Sequence, residues 1–512
     1  MKLSELLSAL AAVHLPTEGL SLPIEEVVAD SRRARPRTLF VCLRGEEADG
    51  HAFVREAYAR GCRAFLCEHA VGLPAEAAVA YVADTHAAVA EVAAAFYGYP
   101  AHRLTLIGIT GTKGKSTVAA MITKMLLDTG VPAAYLGSGG AFYADRQVRT
   151  ENTTPDALTL HRLFAEMLKT GIRAVVMEVS SQAISTGRIL GLSFPIALFT
   201  NLAQDHIGVG EHPDFAHYRD AKARLFSDHG CRRMIVNLDD ESTPYMIAGA
   251  TATRIIGVSL ERADADCYAD RLRASRTDIG YGSSFLLHAE GKSPIPVTLS
   301  VPGACNVENA LMALAAAREY LREYEQDNGN ADYRTLALSL ADLYVPGRFE
   351  EIPTALTDVT FFVDYAHNGY SLAAALSVLR EYSPARLVLL FGSVGSRTYS
   401  RRTQLAEAAS GADFCIVTTD NPDSEEPLDS MREICRVLDE RGREYVAIPD
   451  REEAIRYAVR HARTGDLVLL AGKGHEDYQL IRGERVHFSE KEILRREAEE
   501  CVTKGAFAPP LV

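Results

Sequence analysis

The stretch that most constrains this chain is Leu104 to Thr117, LTLIGITGTKGKST. Its apolar run, Leu104 to Ile109, reads as a buried parallel strand, and it breaks into a glycine-rich turn followed by a helix opening at Lys115 or Ser116. That succession makes a phosphate cradle. Gly111 and Gly114 let backbone N–H groups, Thr112 and Lys113 lying between them, converge on phosphate oxygens. The helix N-terminus adds positive dipole, Lys115 reaches the outer phosphates, and Ser116 or Thr117 offers a hydroxyl to Mg²⁺. The usual nucleotide loop has Gly where this chain has Ile109, so GTKGKS is a shortened variant. A turn that binds nothing is the plain alternative; the Lys-Ser pair after the second Gly favours a mononucleotide site.

The chain has 512 residues, room for about three domains, each with its own core. Hydrophobic residues make up 47%, yet no apolar run is long enough to span a bilayer, so membrane insertion is not expected. The start, MKLSELLSALAAVHL, carries Glu5 and lacks a basic opening and a cleavage site, which suits an amphipathic helix better than a signal peptide. A net charge of −14 speaks against nucleic acid as a partner. The nine cysteines form no CxxC pair, and several sit in apolar runs such as FVCL and DFCIV. They read as reduced core thiols of a cytoplasmic protein with neither disulfides nor a zinc site.

Short strands alternate with helices along the whole chain, which places it in the α/β class. Residues 1–100 form a small α/β unit, in which Asp30, Ser31 and Arg32 follow a strand and a helix is expected from Asp49 to Arg60. Residues 101–333 hold the nucleotide loop and an amphipathic helix with Leu160, Leu163, Phe164, Met167 and Leu168 on one face. Two further strands end at Glu178 and at Asp205 and His206. Ligands of open parallel sheets gather at the carboxyl ends of strands, so these three side chains are expected beside the loop as a Mg²⁺ shell. Asn306 and Asn309, in the first turn of a later helix, could bind a base edge or cap the helix. Residues 334–512 repeat the rhythm as a Rossmann-like, doubly wound sheet, with polar clusters at Asp364 and His367, Arg397 and Arg401, 420–427 and 472–476.

Taken together, DSRRARPRTLFVCLRGEEADGHAF, GTKGKST, NTTPD, MEVSSQA, FTNLAQDH, YRDAKARLF, CNVENAL, VPGRFE, VDYAHN, DNPDSEEP and AGKGHEDYQ resemble, in order, the motifs of the ATP-dependent Mur ligases of peptidoglycan synthesis, and most closely the branch that forms the muramoyl-tripeptide. The resemblance implies three domains: 1–100 for the UDP end of the substrate, a central P-loop-type domain at 101–333 for ATP, and 334–512 for the incoming amino acid. It implies the ligation of a diamino acid to UDP-MurNAc-L-Ala-D-Glu through an acyl phosphate, with ADP and phosphate released, by a monomer. Lys115 would face the transferred phosphoryl group, and Ser116, Glu178, His206 and a carbamylated Lys222 would hold Mg²⁺.

Further residues carry over by motif. Asn306, Asn309, Arg348 and Asp364 resemble ATP contacts, and Ser31, Thr153, Thr154, Ser180, Thr186 and Arg188 resemble contacts to the UDP-substrate. Arg397, Asp420, Asn421, Asp423, Gly472 and Glu476 resemble the amino-acid site. Gln182 stands where the family usually has His, Thr186 falls on a Gln-like position, and GSVGSRTYSRR replaces a more acidic turn. Members that add diaminopimelate read Asp-Asn-Pro-Arg, whereas here the fourth residue is Asp423. An acid there repels a distal carboxylate and suits an ammonium, so L-lysine is the expected acceptor, with meso-diaminopimelate as the alternative. Another ligase of the same type, such as a folylpolyglutamate synthetase, and a catalytically weak binding paralogue are the other readings.

Lys115→Ala should lower the rate of tripeptide formation by about 10²- to 10³-fold or more while leaving circular dichroism unchanged, because it removes the cation facing the transferred phosphoryl group. Phosphate release in the purified variant is the measurement; a wild-type rate would remove the loop from the chemistry.

Overall fold

The structure, a computed structural model, describes residues 1–512 apart from 17, 46–47, 206, 209–210, 278–279, 326–331, 396–398, 422–424 and 505–512. Tertiary contacts divide the chain into two compact units. The first takes Met1–Asp270, Leu287–Ile295 and Glu308–Ser339, and the second takes Arg271–Leu286, Pro296–Val307 and the chain from Leu340 onward. No helix among the described residues is long and apolar enough to cross a membrane.

Two sheets organise the first unit. The smaller is parallel throughout, in the order Glu26–Val28, Thr38–Val41, Ala64–Cys67, Ala78–Tyr81. The larger runs Arg146–Val148, Gly140–Tyr143, Ala133–Gly137, Ala174–Glu178, Thr105–Thr110, Ile196–Phe199, Arg233–Asn237, Arg254–Ser259, with only the first two strands antiparallel to their neighbours. The strands of 267–299 are divided between the two units. Thr105–Thr110 lies in the middle, and its near-continuous burial reflects helices on both faces of a parallel sheet. Register aligns the strand ends around it. Ile109 lies opposite Glu178 on one side, and Thr110 opposite Phe199 on the other, so three strands end level where the nucleotide loop begins.

The elements expected in this unit are present, with two differences at its start, while strands Ala133–Gly137, Gly140–Tyr143, Arg146–Val148 and Arg233–Asn237 go beyond the expectation. The N-terminal helix spans only Leu3–Leu7, because the chain then turns to pair His14 with Tyr81 as an isolated bridge. The expected helix at 49–60 opens as a 3₁₀ turn, Gly50–Phe53, capped by the Asp49 carboxylate, and becomes α-helical at Val54–Ala59.

In the second unit the sheet order is Glu350–Ile352, Thr360–Asp364, Asp466–Ala471, Arg386–Phe391, Phe414–Val417, Tyr445–Ala447. All neighbours are parallel except the first pair. Residues of Arg386–Phe391 alternate between two cores. Leu387 and Leu389 pack with Leu372, Leu376, Leu405 and Ile434, while Val388 and Leu390 pack with Ile455, Val459 and Leu494. Helices therefore cover both faces, the doubly wound arrangement expected from the alternation of strands and helices. The edge strand Glu350–Ile352 and the hairpin Tyr478–Ile481/Glu484–His487 go beyond what the sequence pattern indicates.

One core residue carries a pH dependence. Helix Ala157–Lys169 turns Leu160, Leu163, Phe164 and Met167 inward, and His161 is buried with them at 3% exposure. Its Nδ1 has no hydrogen-bond partner among the described residues, and burial pulls its pKa down to about 4, with His102 adding a smaller push. The folded state thus holds a neutral imidazole while the unfolded chain protonates near pH 6.5. Between those values the unfolded state binds more protons, so stability is full above pH 6.5 and declines as pH falls toward 4. His161→Leu should flatten this decline by on the order of 2–3 kcal/mol, read from urea denaturation at pH 7 and pH 4.5.

Candidate functional site

The nucleotide loop closes on itself through residues distant in sequence. Gly111 has φ +147°, and a Cβ there would lie 1.9 Å from Thr200 Oγ1; one on Gly114, φ +86°, would lie 2.4 Å from Asn309 Oδ1. Only glycine fits either position. Asn201, just beyond strand Ile196–Phe199, binds the loop twice: its carbonyl accepts from the Thr112 amide at 2.8 Å and its Oδ1 from the Lys113 amide at 2.9 Å. Thr200 Oγ1 donates to the Lys113 carbonyl at 2.6 Å, and the Ala203 amide donates to Thr112 Oγ1 at 2.9 Å. Two loop amides are therefore committed inside the protein. The first turn of helix Lys115–Asp128, whose opening N–H groups have no partner within the helix, has the arrangement that suits an anion. Ser116 and Thr117 lie in that turn.

Two lysines converge on one oxygen. Lys115 Nζ donates to the Gly111 and Thr112 carbonyls at 2.9 and 3.1 Å, and Lys222 Nζ, from helix Phe215–Ser227, donates to the same Gly111 carbonyl at 2.9 Å. Lys222 is only 1% exposed. Burial pushes its ammonium well below the ordinary lysine range, the Lys115 cation pushes further, and Asp205 opposes them. Burial thus favours the uncharged amine over the ammonium. Asp205 itself pairs with Lys113 at 3.3 Å, and the Tyr218 hydroxyl lies 3.1 Å from Thr112 Oγ1.

Glu178 ends its strand fully buried. Its Oε1 accepts from the Tyr135 hydroxyl at 2.5 Å and the Ser138 amide at 3.0 Å, and its Oε2 from Ser138 Oγ at 3.3 Å. Burial and the adjacent carboxylate raise the Tyr135 pKa well above the usual tyrosine value, so Tyr135 stays a donor; the Ser116 side chain also reaches it. The phosphate helix and the acid are linked in this way. Gly137 makes room for the carboxylate, since a Cβ there would stand 2.1 Å from Glu178 Oε1.

Several of the residues assigned to the UDP-substrate gather beside Glu178. Thr154 Oγ1 donates to the Glu178 carbonyl at 2.9 Å and accepts from the Ser180 amide at 3.0 Å, while Arg188 donates to the Thr154 carbonyl at 3.2 Å. Thr153 Oγ1 lies 3.2 Å from Ser138 Oγ. Thr186 closes the short helix Ser181–Ser185, its hydroxyl donating to the Gln182 carbonyl at 2.8 Å. Ser31, on the smaller sheet's side, donates to Glu56 at 3.2 Å. His212, which no motif singles out, lies buried, its Nε2 2.8 Å from Ser181 Oγ and its Nδ1 2.7 Å from His217.

The remaining candidates belong to the second unit. Asn306 donates to the Pro302 carbonyl at 2.8 Å, one turn before it. Asp364 accepts from the Phe349 and Ala366 amides, both at 2.8 Å; burial raises its pKa and the neighbouring Arg348 guanidinium opposes that. Arg348 also lies over the Tyr365 ring, and His367 Nδ1 is 2.7 Å from the Tyr365 carbonyl. Asp420 and Asn421 meet the segment after strand Asp466–Ala471, where Gly472, φ +117°, leaves room for Asp420 Oδ2. At their centre is Lys473, fully buried and indicated by sequence only as a member of the polar cluster 472–476, which donates to Asn421 Oδ1 at 3.0 Å and Glu476 Oε2 at 3.2 Å. Asn421 Nδ2 donates to the same Glu476 oxygen at 3.1 Å. His206, Arg397 and Asp423 lie outside the described residues.

Sequence reasoning also misses Thr200, Asn201, Tyr135 and Gly137. The first two stand in the FTNLAQDH stretch, whose threonine and asparagine directly after a buried strand are the available signal; Tyr135 and Gly137 leave none.

Three successive segments match known domains: residues 23–97 the Mur ligase family catalytic domain, 109–317 the Mur ligase middle domain, and 347–474 the Mur ligase glutamate ligase domain. The chain is 37% identical to the UDP-N-acetylmuramoyl-L-alanyl-D-glutamate--2,6-diaminopimelate ligase of Geobacillus kaustophilus, over 98% of this chain and 100% of that protein. It is 35% identical to the ligase of the same name from Caldanaerobacter subterraneus, over 93% of this chain and 95% of that protein. A solved structure, also described as a UDP-N-acetylmuramoyl-L-alanyl-D-glutamate--2,6-diaminopimelate ligase, superposes with a TM-score of 0.68 at 28% identity, covering 98% and 99% of the two chains.

Gly137→Ala should displace the Glu178 carboxylate and lower turnover about 10²-fold, with a shift to higher Mg²⁺ requirement. Phosphate release across a Mg²⁺ titration checks this; an unchanged Mg²⁺ profile in the folded variant would mean that Glu178 tolerates the added methyl group.

Proposed function

Because the chain belongs to the Mur ligase family, we propose that it joins meso-diaminopimelate to UDP-MurNAc-L-Ala-D-Glu, with ATP converted to ADP and phosphate. On this reading the D-Glu carboxylate takes the γ-phosphoryl group, and the amine of the incoming amino acid then displaces phosphate to form the amide. The observation that carries the chemistry is the convergence of Lys115 and Lys222 on the Gly111 carbonyl beside the start of the phosphate-binding helix. Lys115 is placed to offset charge on a phosphoryl group held there.

A buried neutral amine is the form of lysine that adds CO₂: the nitrogen bonds to carbon, a proton leaves, and a carbamate anion remains. Carbamylation of Lys222 would set an oxygen-donor anion beside the Lys115 cation in place of an uncharged amine. With Glu178, Ser116 and His206 it would make an oxygen-rich set that suits Mg²⁺, which would neutralise phosphate charge when bound. Glu178 Oε2, which accepts from Ser138 Oγ at 3.3 Å, has lone pairs left for such a role. The division into 1–100 for the UDP end, 101–333 for ATP and 334–512 for the amino acid is supported by the three matched segments, each of which falls inside one of these ranges.

For the acceptor, the expectation of L-lysine rests on Asp423 alone, a residue outside the described structure. The relatives that match nearly the whole chain are named for 2,6-diaminopimelate, which favours that amino acid over L-lysine and over a folate substrate. Arg397 and Arg401 supply guanidinium groups of the kind that bind a carboxylate of the acceptor, its α-carboxylate or the distal one.

The test is a panel of meso-diaminopimelate, L-lysine and no acceptor, each with UDP-MurNAc-L-Ala-D-Glu and ATP, read by product mass and phosphate release. Meso-diaminopimelate should give the highest kcat/KM. A preference for L-lysine would overturn the acceptor assignment, and no phosphate release with any acceptor would favour a binding protein.

A further inference from the structure

Arg451 is the first residue of helix Arg451–Arg460, yet its side chain is fully buried beneath the sheet's carboxyl edge. It pairs with Glu490, the first residue of helix Glu490–Lys504, through Nε and Nη2 at 2.8 Å each. Its other bonds go to main chain. Nη1 donates to the Thr419 carbonyl and Nη2 to the Ala471 carbonyl, both at 2.9 Å. Those carbonyls immediately precede Asp420 and Gly472, which open the two segments carrying Asn421, Lys473 and Glu476.

The two segments have no sheet bond to fix their spacing. Strands Phe414–Val417 and Asp466–Ala471 are not neighbours; Arg386–Phe391 lies between them and pairs with both. Side-chain bonds of Asn421 with Lys473 and Glu476 cross this gap, and one guanidinium joins the main chain of the two segments. Gly392, which continues the middle strand, could not carry a Cβ, since it would stand 2.4 Å from the Thr418 carbonyl. A buried ion pair is a poor way to gain stability, because apolar residues of similar volume commonly do as well or better. Its rigid fork of donors does what an apolar residue cannot, which is to hold two carbonyls at a set distance.

We propose that Arg451, held by Glu490, is a positioning residue for the acceptor amino acid: it sets the gap between Thr419–Asn421 and Ala471–Glu476, and with it the fit of the acceptor's polar ends. This rests on the functional reading in which these segments receive the acceptor. Arg451 touches no substrate, and acts through the carbonyls of Thr419 and Ala471.

The test uses full-length R451K and E490Q, with KM measured for ATP, the UDP-substrate and meso-diaminopimelate in turn, and folding checked by thermal melting. R451K keeps a cation for Glu490 but loses the fork. It should raise the acceptor KM about ten- to a hundredfold, leave the other two KM values within about twofold, and lower kcat by less than the KM rises. E490Q should show the same selectivity with a smaller rise. An unchanged acceptor KM, or an equal rise in all three, in a folded variant would make the link purely structural and overturn the proposal. If R451K does not fold, E490Q decides by the same criteria. Failure of the wild-type protein to ligate any diamino acid would instead remove the functional reading on which the proposal stands.

Discussion

The closeness of Gly111 to Thr200 is the constraint on which the nucleotide site depends. A side chain on Gly111 would collide with the Thr200 hydroxyl, and without that approach Asn201 could not bind the Thr112 and Lys113 amides. The parallel register brings the strands level, and the missing Cβ lets the loop fold across the end of the neighbouring strand. Once it does, the Gly111 carbonyl is presented to Lys115 from one side and Lys222 from the other. The same economy of space recurs at Gly137, where Glu178 occupies the volume that a methyl group would need.

Buried basic side chains recur in both units and are satisfied in different ways. Lys222 faces another lysine across one carbonyl oxygen, and burial there favours loss of its proton. Lys473 keeps two acceptors, Asn421 and Glu476, each on a segment that ends a strand. Arg451 divides its donors between a carboxylate and two carbonyls. The first arrangement leaves an amine open to chemistry, the second balances charge locally, and the third holds two segments apart. Burying any of the three without its partners would cost several kcal/mol, so their surroundings must be built with them.

Much of the scaffold was legible because it rests on local pattern. The inward face of Ala157–Lys169 follows helical spacing, and the apolar runs at 105–110, 196–199 and 386–391 became central strands. What escaped was weakly patterned. Glu350–Ile352 pairs at an edge with two acidic residues, and the hairpin at 478–487 is largely exposed, so neither shows apolar periodicity. The N-terminal helix ended early because a long-range bridge to Tyr81 outweighed local helical spacing. L-Lysine as the acceptor, expected from the charge of Asp423, is not supported by the relatives named for 2,6-diaminopimelate, because the charge of one residue does not define the pocket around it.

The sequence by itself determined the glycine-rich loop and its helix, the α/β alternation, and the acid at the end of strand Ala174–Glu178, because strand length, glycine spacing and apolar runs are properties of neighbouring residues. Only the tertiary structure decided that Asn201 takes two of the loop's amides, that Lys222 reaches a carbonyl 111 residues away, and that Lys473 and Arg451 stand beneath the candidate amino-acid site. Those contacts depend on which strands become neighbours and on the register between them. Long-range pairing sets both, and no short stretch of sequence encodes it.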